Sequence, residues 1–197
     1  MPKIVDHENR KRLIAEATWR VILEQGMKGA SVRNIAKEAN LSLGALRHYF
    51  STQEELLIYA MELVKERATK RIQNIALKNL PPKEMVVSML MEIIPTNETT
   101  KAEMEVWLEF IFYFRTKGRT LESFNDGIYE GMKKMLGMLQ MKGFLKPGVD
   151  VEIETERLYA LVDGLAIHAI IDPKRNHPEK IKSVIEQHLD EIGDFKN

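Results

Sequence analysis

Residues 31–50 read SVRNIAKEANLSLGALRHYF, and this stretch decides the fold. Its spacing predicts two short helices with a sharp turn between them. Ser31 caps the first helix through its side-chain oxygen. Val32, Ile35, Ala36 and Ala39 then fall on one face at helical spacing. Asn40 breaks the run, because asparagine tolerates the left-handed backbone that a tight reversal needs. Leu41 plugs into the core, and Ser42 caps the second helix, residues 43–50. Leu46, Tyr49 and Phe50 anchor that helix, while Ala45, Arg47 and His48 project elsewhere. A short helix whose outward side carries small residues, a cation and hydrogen-bonding groups suits a DNA major groove.

These residues resemble the helix-turn-helix of the TetR family of transcriptional regulators. The resemblance rests on the Ser31 cap, Ile35-Ala36, the turn Ala39-Asn40-Leu41-Ser42, Gly44, Leu46-Arg47, Tyr49-Phe50 and the run Gln53-Glu54-Glu55-Leu56-Leu57. It is strong over the first third of the chain; the rest agrees in length and helical layout. Three positions depart from the family pattern. Asn40 stands where the turn usually has glycine. Arg47 stands in place of a tyrosine, as in the branch that resembles choline-responsive, BetI-like repressors. Gln53 replaces a lysine, which removes one charge for phosphate.

The resemblance implies an all-α fold of about nine helices. A three-helix DNA-binding head would occupy residues 1–52, and a ligand-binding and dimerisation body residues 53–197, joined by the fourth helix. DNA contacts would come from Ser31, Arg33, Ser42, Leu43, Gly44, Ala45, Arg47, His48, Tyr49 and Gln53. Arg47 suits guanine or a phosphate, and Ala45 suits a thymine methyl. Gly44 serves close backbone approach. His48 and Tyr49 also read as packing residues.

Composition sets the outer bounds. The 197 residues suffice for a sizeable core, and 44% hydrophobic with 29% charged residues is ordinary for a soluble globular chain. There is no cysteine, so disulfides and thiolate metal sites are excluded. No signal peptide or membrane span is read, and a cytoplasmic location is expected. Net charge is zero overall but unevenly spread. Residues 1–52 hold nine Lys/Arg and five Asp/Glu, a net +4, against −4 in the remainder. A basic head on an acidic body fits a polyanion at the N-terminal end.

Helices are expected over about 7–25, closed by Gly26, and from the Ser51/Glu54 capping box to about 78. Further helices are read over 82–94, 100–116, 121–142, 155–170 and from 178 to the stop at Gly193. Leu121 and Phe124 belong to the stripe of the seventh. Gly127, Gly131 and Gly137 on that helix read as sites of close packing, with room for a ligand as the alternative. Arg10, Lys11 and Arg12 read either as a solvated cluster or as phosphate contacts. Head and body are expected to be rigidly joined, with the fourth helix as the lever between them.

Nine of the eleven methionines lie between Met61 and Met141. Methionine is flexible and overused at adaptable surfaces. A small-molecule effector is therefore read at Met85, Met89, Trp107, Phe110, Phe114, Tyr129, Met132 and Tyr159, against the alternative of an ordinary core. Glu92, Glu109, Asp163 and His168 are polar groups on these mostly apolar helices, suited to a ligand head or to local hydrogen bonds. One head reads few base pairs, so a homodimer on a pseudo-palindrome is expected. Its interface is read at Leu158, Val162, Leu165, Ile181, Val184, Ile185, His188 and Leu189; the alternative is packing within one subunit. No catalytic residue, cofactor or metal is expected, because no phosphate loop, His-Glu-x-x-His or cysteine nucleophile occurs. The function read is a repressor released from a palindromic operator by a small hydrophobic or cationic ligand. A sensor or carrier that has lost DNA binding is the alternative, supported by Gln53, and an enzyme comes third.

Overall fold

The computed structural model describes residues 7–119 and 127–195. Among them are nine helices and no strand: α1 (His7–Gly29), α2 (Val32–Glu38), α3 (Leu43–Tyr49), α4 (Gln53–Ala76), α5 (Pro82–Met91), α6 (Glu98–Thr116), α7 (Gly127–Met141), α8 (Val151–Ile171) and α9 (Pro178–Ile192). The all-α expectation holds. Gly26 interrupts α1 where the sequence placed its end. Its φ of 67° and ψ of 179° are open to glycine alone, and one more helical turn follows. Leu121 and Phe124, assigned to the seventh helix from sequence, lie outside the described residues.

Two helix starts differ from expectation, and a cap explains each. Asp150 accepts from the N–H groups of Glu152 and Ile153, so α8 opens at Val151 and not at 155. Asn97 Oδ1 accepts from the N–H groups of Thr99 and Thr100 at 3.0 Å, so α6 opens at Glu98 and not at 100. Each such cap contributes about 1 kcal/mol.

The described residues form two compact units. The first takes residues up to Arg67 together with 105–119. Its interior includes Ile14, Ala17, Val21, Ile22, Ile35, Leu46, Phe50, Leu56 and Leu57, all buried. Trp19 Nε1 donates to the carbonyl of Ala60 at 2.9 Å, which fixes α1 against α4. Arg67 lies over the Trp19 ring at 4.5 Å and pairs with Glu16. Glu109, from α6, accepts the N–H of Met27 at 2.9 Å, just past the Gly26 break.

The second unit holds the remainder. Its core is one cluster of Val86, Val87, Leu90 and Ile94 from α5 and its exit, Met132, Leu136 and Leu139 from α7, Leu158 and Val162 from α8, and Ile181, Ile185 and Leu189 from α9. Within this unit Arg71, from the end of α4, donates to Glu92 Oε2 at 2.7 Å and to both oxygens of Glu103 at 2.7 and 3.0 Å. Glu103 is 9% exposed, and this bidentate hydrogen bond, with Glu92 behind it, raises the Arg71 guanidinium further above its ordinary value. Gly143 closes α7 with a φ of 74°, and Phe144 folds back onto the core, as the sequence indicated. Close packing at Gly127, Gly131 and Gly137 is not found: a Cβ added at any of the three meets no atom within 4 Å.

Leu158 is wholly buried at the centre of this second core. Leu158→Ala should therefore lower unfolding stability by about 2–5 kcal/mol, read from the urea midpoint with an unchanged slope.

Candidate nucleic-acid interface

The reversal between α2 and α3 is built from the residues quoted at the outset. Ser31 Oγ accepts from the Asn34 N–H at 3.2 Å and starts α2. Asn40, at φ 54°, is the one non-glycine residue among those described with a left-handed backbone. The Leu41 N–H reaches back to the Ala36 carbonyl at 2.8 Å and the Asn40 N–H to Lys37 at 3.1 Å. That pair of bonds is a Schellman motif, and it fixes the angle at which the chain leaves α2. Ser42 Oγ then accepts from Ala45 N–H at 3.1 Å and starts α3.

Burial decides which side of α3 looks outward. Leu46 and Phe50 are 0% and 1% exposed and hold the helix to the unit. Ser42, Gly44, Arg47 and His48 are exposed, as is Arg33 on α2. Ser31, Leu43, Ala45, Tyr49 and Gln53 are half-buried. Arg33 and Arg47 have no ion-pair partner among the described residues, whereas Arg20 is paired with Glu38 at 2.6 Å. An added Cβ at Gly44 would meet nothing within 4 Å, so glycine keeps the outer surface of α3 low there. Leu46 and Phe50 anchor the helix and Arg47 and His48 project, as expected, whereas Ala45 and Tyr49 are alike half-buried and fall in neither group.

Three side chains take on local duties. Gln53 Nε2 donates to the Ala30 carbonyl at 2.8 Å and ties the start of α4 to the joint between α1 and α2. Asn34 Nδ2 does the same for α2 through Gly29 at 2.9 Å. Tyr49 lies against His7 of α1, with ring centroids 4.8 Å apart. Of the basic run on α1, Arg12 pairs with Glu66 at 2.9 Å and Lys11 sits over the Phe50 ring at 5.5 Å.

The cap of α4 is shifted by one residue from the expected Ser51 and Glu54. Thr52 Oγ1 accepts from Glu55 N–H at 3.1 Å, and the Glu55 carboxylate accepts from both the hydroxyl and the N–H of Ser51 at 2.8 Å. The Ser51 hydroxyl, then its N–H, hold the Glu55 carboxyl below the usual carboxylate range. That contribution to stability is present above the ordinary glutamate range and is lost as pH falls through the depressed value.

A family model described as bacterial regulatory proteins, tetR family, matches residues 14–60. A second, described as BetI-type transcriptional repressor, C-terminal, matches residues 82–194, more than half of the chain. The chain belongs to the TetR family. It is a DNA-binding transcriptional regulator. It is 58% identical over 192 residues to the HTH-type transcriptional regulator PksA of Bacillus subtilis (strain 168), covering 98% of this chain and 94% of that one. The regulator BetI of Vibrio atlanticus is 27% identical, over 96% of this chain and 94% of its own. Among solved structures, a transcriptional regulator from Rhodococcus sp. Rha1 superposes with a TM-score of 0.79 at 26% identity, covering 92% of this chain and 95% of that one.

Against the TetR layout, the other two sets of residues read from sequence fare differently. Of the eight assigned to a ligand, Trp107, Phe110 and Phe114 fall in the first unit, with Phe110 and Phe114 buried 4.5 Å apart. Met85, Met89, Tyr129, Met132 and Tyr159 fall in the second, where Tyr129 and Tyr159 pack edge to face at 5.6 Å. Of the polar groups on these helices, Glu92 and Glu109 are hydrogen-bonded within their units, and Asp163 and His168 are exposed.

Of the eight assigned to a dimer interface, Leu158, Val162, Leu165, Ile181, Ile185 and Leu189 already form the core of their own chain. In this chain they face inward, and packing within one subunit is what the structure describes for them. Val184 packs against the same core, and His188 Nε2 lies 2.9 Å from Glu154 Oε1. The large apolar residues left outward on α8 are Ile153, Ile167 and Ile171, 59%, 44% and 68% exposed.

Because Asn40 carries the left-handed backbone, Asn40→Gly should leave thermal stability nearly unchanged. Asn40→Val should cost about 1–2 kcal/mol, measured by the same melt, since a β-branched residue resists that conformation.

Proposed function

We propose that the chain is a repressor that binds an inverted repeat in duplex DNA as a homodimer and leaves it when a small hydrophobic or cationic molecule binds. The observation that carries the reading is the outward side of the α2–α3 pair. Arg33 and Arg47 stand there exposed and without internal partners, beside Ser42, Gly44 and His48. Unpaired guanidinium groups on a rigidly capped helix suit guanine edges and phosphates. In this reading α3 enters the major groove. Arg47 reads a guanine or holds a phosphate, Ala45 meets a thymine methyl, and Ser31, Arg33, Ser42, Leu43, Tyr49 and Gln53 line the contact. The repressor role is supported by the description of the family model that matches residues 82–194.

The homodimer would form over the outward side of α8, where Ile153, Ile167 and Ile171 are exposed. It supplies two recognition helices for the two half-sites. The effector would bind among the Met-rich helices, with Met85, Met89, Tyr129, Met132 and Tyr159 as the contacts in the second unit. It acts only by binding the two states of the regulator with different affinity. α4 has residues in both units, and its Arg71 end is clamped by Glu92 and Glu103, which makes it the element to carry the change. A regulator of this kind works in the cytoplasm. Residues 1–52 as head and 53–197 as body is the division of labour proposed.

Selection of bound duplexes from a random pool, followed by gel shift, tests this. The parent should enrich an inverted repeat, and Arg47→Ala should bind it at least about tenfold more weakly. Equal binding by that variant overturns the assignment of Arg47, and no enrichment at low salt favours a sensor that does not bind DNA. Ile171→Glu should sediment as a monomer and lose the repeat while keeping its helical circular dichroism. An unchanged dimer contradicts the α8 interface.

A further inference from the structure

His7 opens α1 and is exposed, and it faces the C-terminal end of α3. Its ring lies 4.8 Å from that of Tyr49 and 6.1 Å from that of His48, edge-on at 77°. Tyr49 also touches His48, at 5.5 Å. Three rings from two helices thus form one cluster, and its two imidazoles are exposed, one of them next in the chain to the exposed Arg47. Resting on the DNA-binding reading above, we infer that His7 belongs to the DNA interface. With His48 it forms a twin imidazole contact to backbone phosphate that takes up protons when DNA binds.

The chemistry follows from the residue types. Histidine is the side chain whose charge changes between about pH 5 and 8. A neutral imidazole offers a phosphate one N–H, whereas the imidazolium offers two donors and a charge. A phosphate brought up to the pair adds a negative charge, which favours the protonated form. Tyr49 touches both rings, at 4.8 and 5.5 Å, and both histidines are exposed. The charged groups nearby are few. On α1, Glu8 lies 3.9 Å from His7 Nδ1, Arg12 is neutralised by Glu66 of α4, and Lys11 sits over the Phe50 and Tyr59 rings. On α4, Tyr59 shares Glu8 at 3.5 Å. On α3, Arg47 is next to His48 and unpaired, and on α1 Arg10 likewise has no ion pair among the described residues. The approaching phosphate therefore meets a cationic surface whose charge rises as protons are taken up.

Phosphate contacts carry no sequence information, so a mixed-sequence duplex serves as the probe. Its affinity for the full chain is measured by fluorescence anisotropy across a salt series at about pH 6 and about pH 8. The parent should bind at least about tenfold more tightly at the lower pH, with a salt slope steeper by about 0.9 for each phosphate held. The double variant His7→Gln, His48→Gln should bind with an affinity that changes less than about twofold over the same range. The double variant His7→Arg, His48→Arg should bind tightly at both pH values, which separates loss of protonation from loss of the fold. A parent that binds with no pH dependence, or a Gln variant that keeps the parent's dependence, overturns the inference alone. A parent that binds no duplex at either pH overturns the DNA reading with it.

Discussion

Two hydrogen bonds and one left-handed residue set the direction of α3. Leu41 reaches the Ala36 carbonyl, Asn40 reaches Lys37, and Asn40 takes the φ of 54° that lets both form. Everything proposed for the outward face depends on that reversal. With the turn fixed, Leu46 and Phe50 must face the unit's interior, and helical geometry then leaves Arg47 and His48 outside. The turn costs little because asparagine visits this conformation more easily than other side chains do. It is also held from behind: Gln53, Asn34 and Trp19 each spend a polar hydrogen on a backbone carbonyl of a neighbouring element.

The second unit is organised by a different constraint. Its four longest apolar stripes converge on one cluster, so each of α5, α7, α8 and α9 loses exposed area only in company with the others. The carboxylates around this core have arginine partners. Arg71 meets Glu92 and Glu103, and Glu154, 4% exposed, accepts from Arg157 at 2.9 Å. Removing one member of such a group strands a buried charge, whereas removing both is far cheaper. Among the described residues no helix is long and apolar enough to cross a membrane, and the exposed isoleucines of α8 are spaced along one helix flank instead.

How much of this was legible depends on whether the signal is local. The caps, the turn residue and the anchors Leu46 and Phe50 of the helix-turn-helix were readable, because they act within a few positions of each other. The caps at Asp150 and Asn97 were missed although each is a strong N-cap type, since the apolar periodicity begins a few residues later and drew the boundary inward. Ser51 and Thr52 are adjacent candidates of similar chemistry, and only the position of Glu55 distinguishes them. The sides of α8 were not separable from sequence: Leu158 and Ile171 are equally apolar, and tertiary packing alone decides which is covered. The same holds for the aromatic residues of α6, which sequence grouped with Tyr129 and Tyr159 and which belong to the other unit. His7 carried no sequence signal, because its neighbours on α3 lie about forty residues away in the chain.

Amide hydrogen exchange of the whole protein, with and without a duplex carrying the selected repeat, tests the central claim most directly. The account predicts slowed exchange over residues 31–50, concentrated between Ser42 and Tyr49, when the duplex is added. Protection that leaves α3 untouched and falls elsewhere on the chain would contradict it.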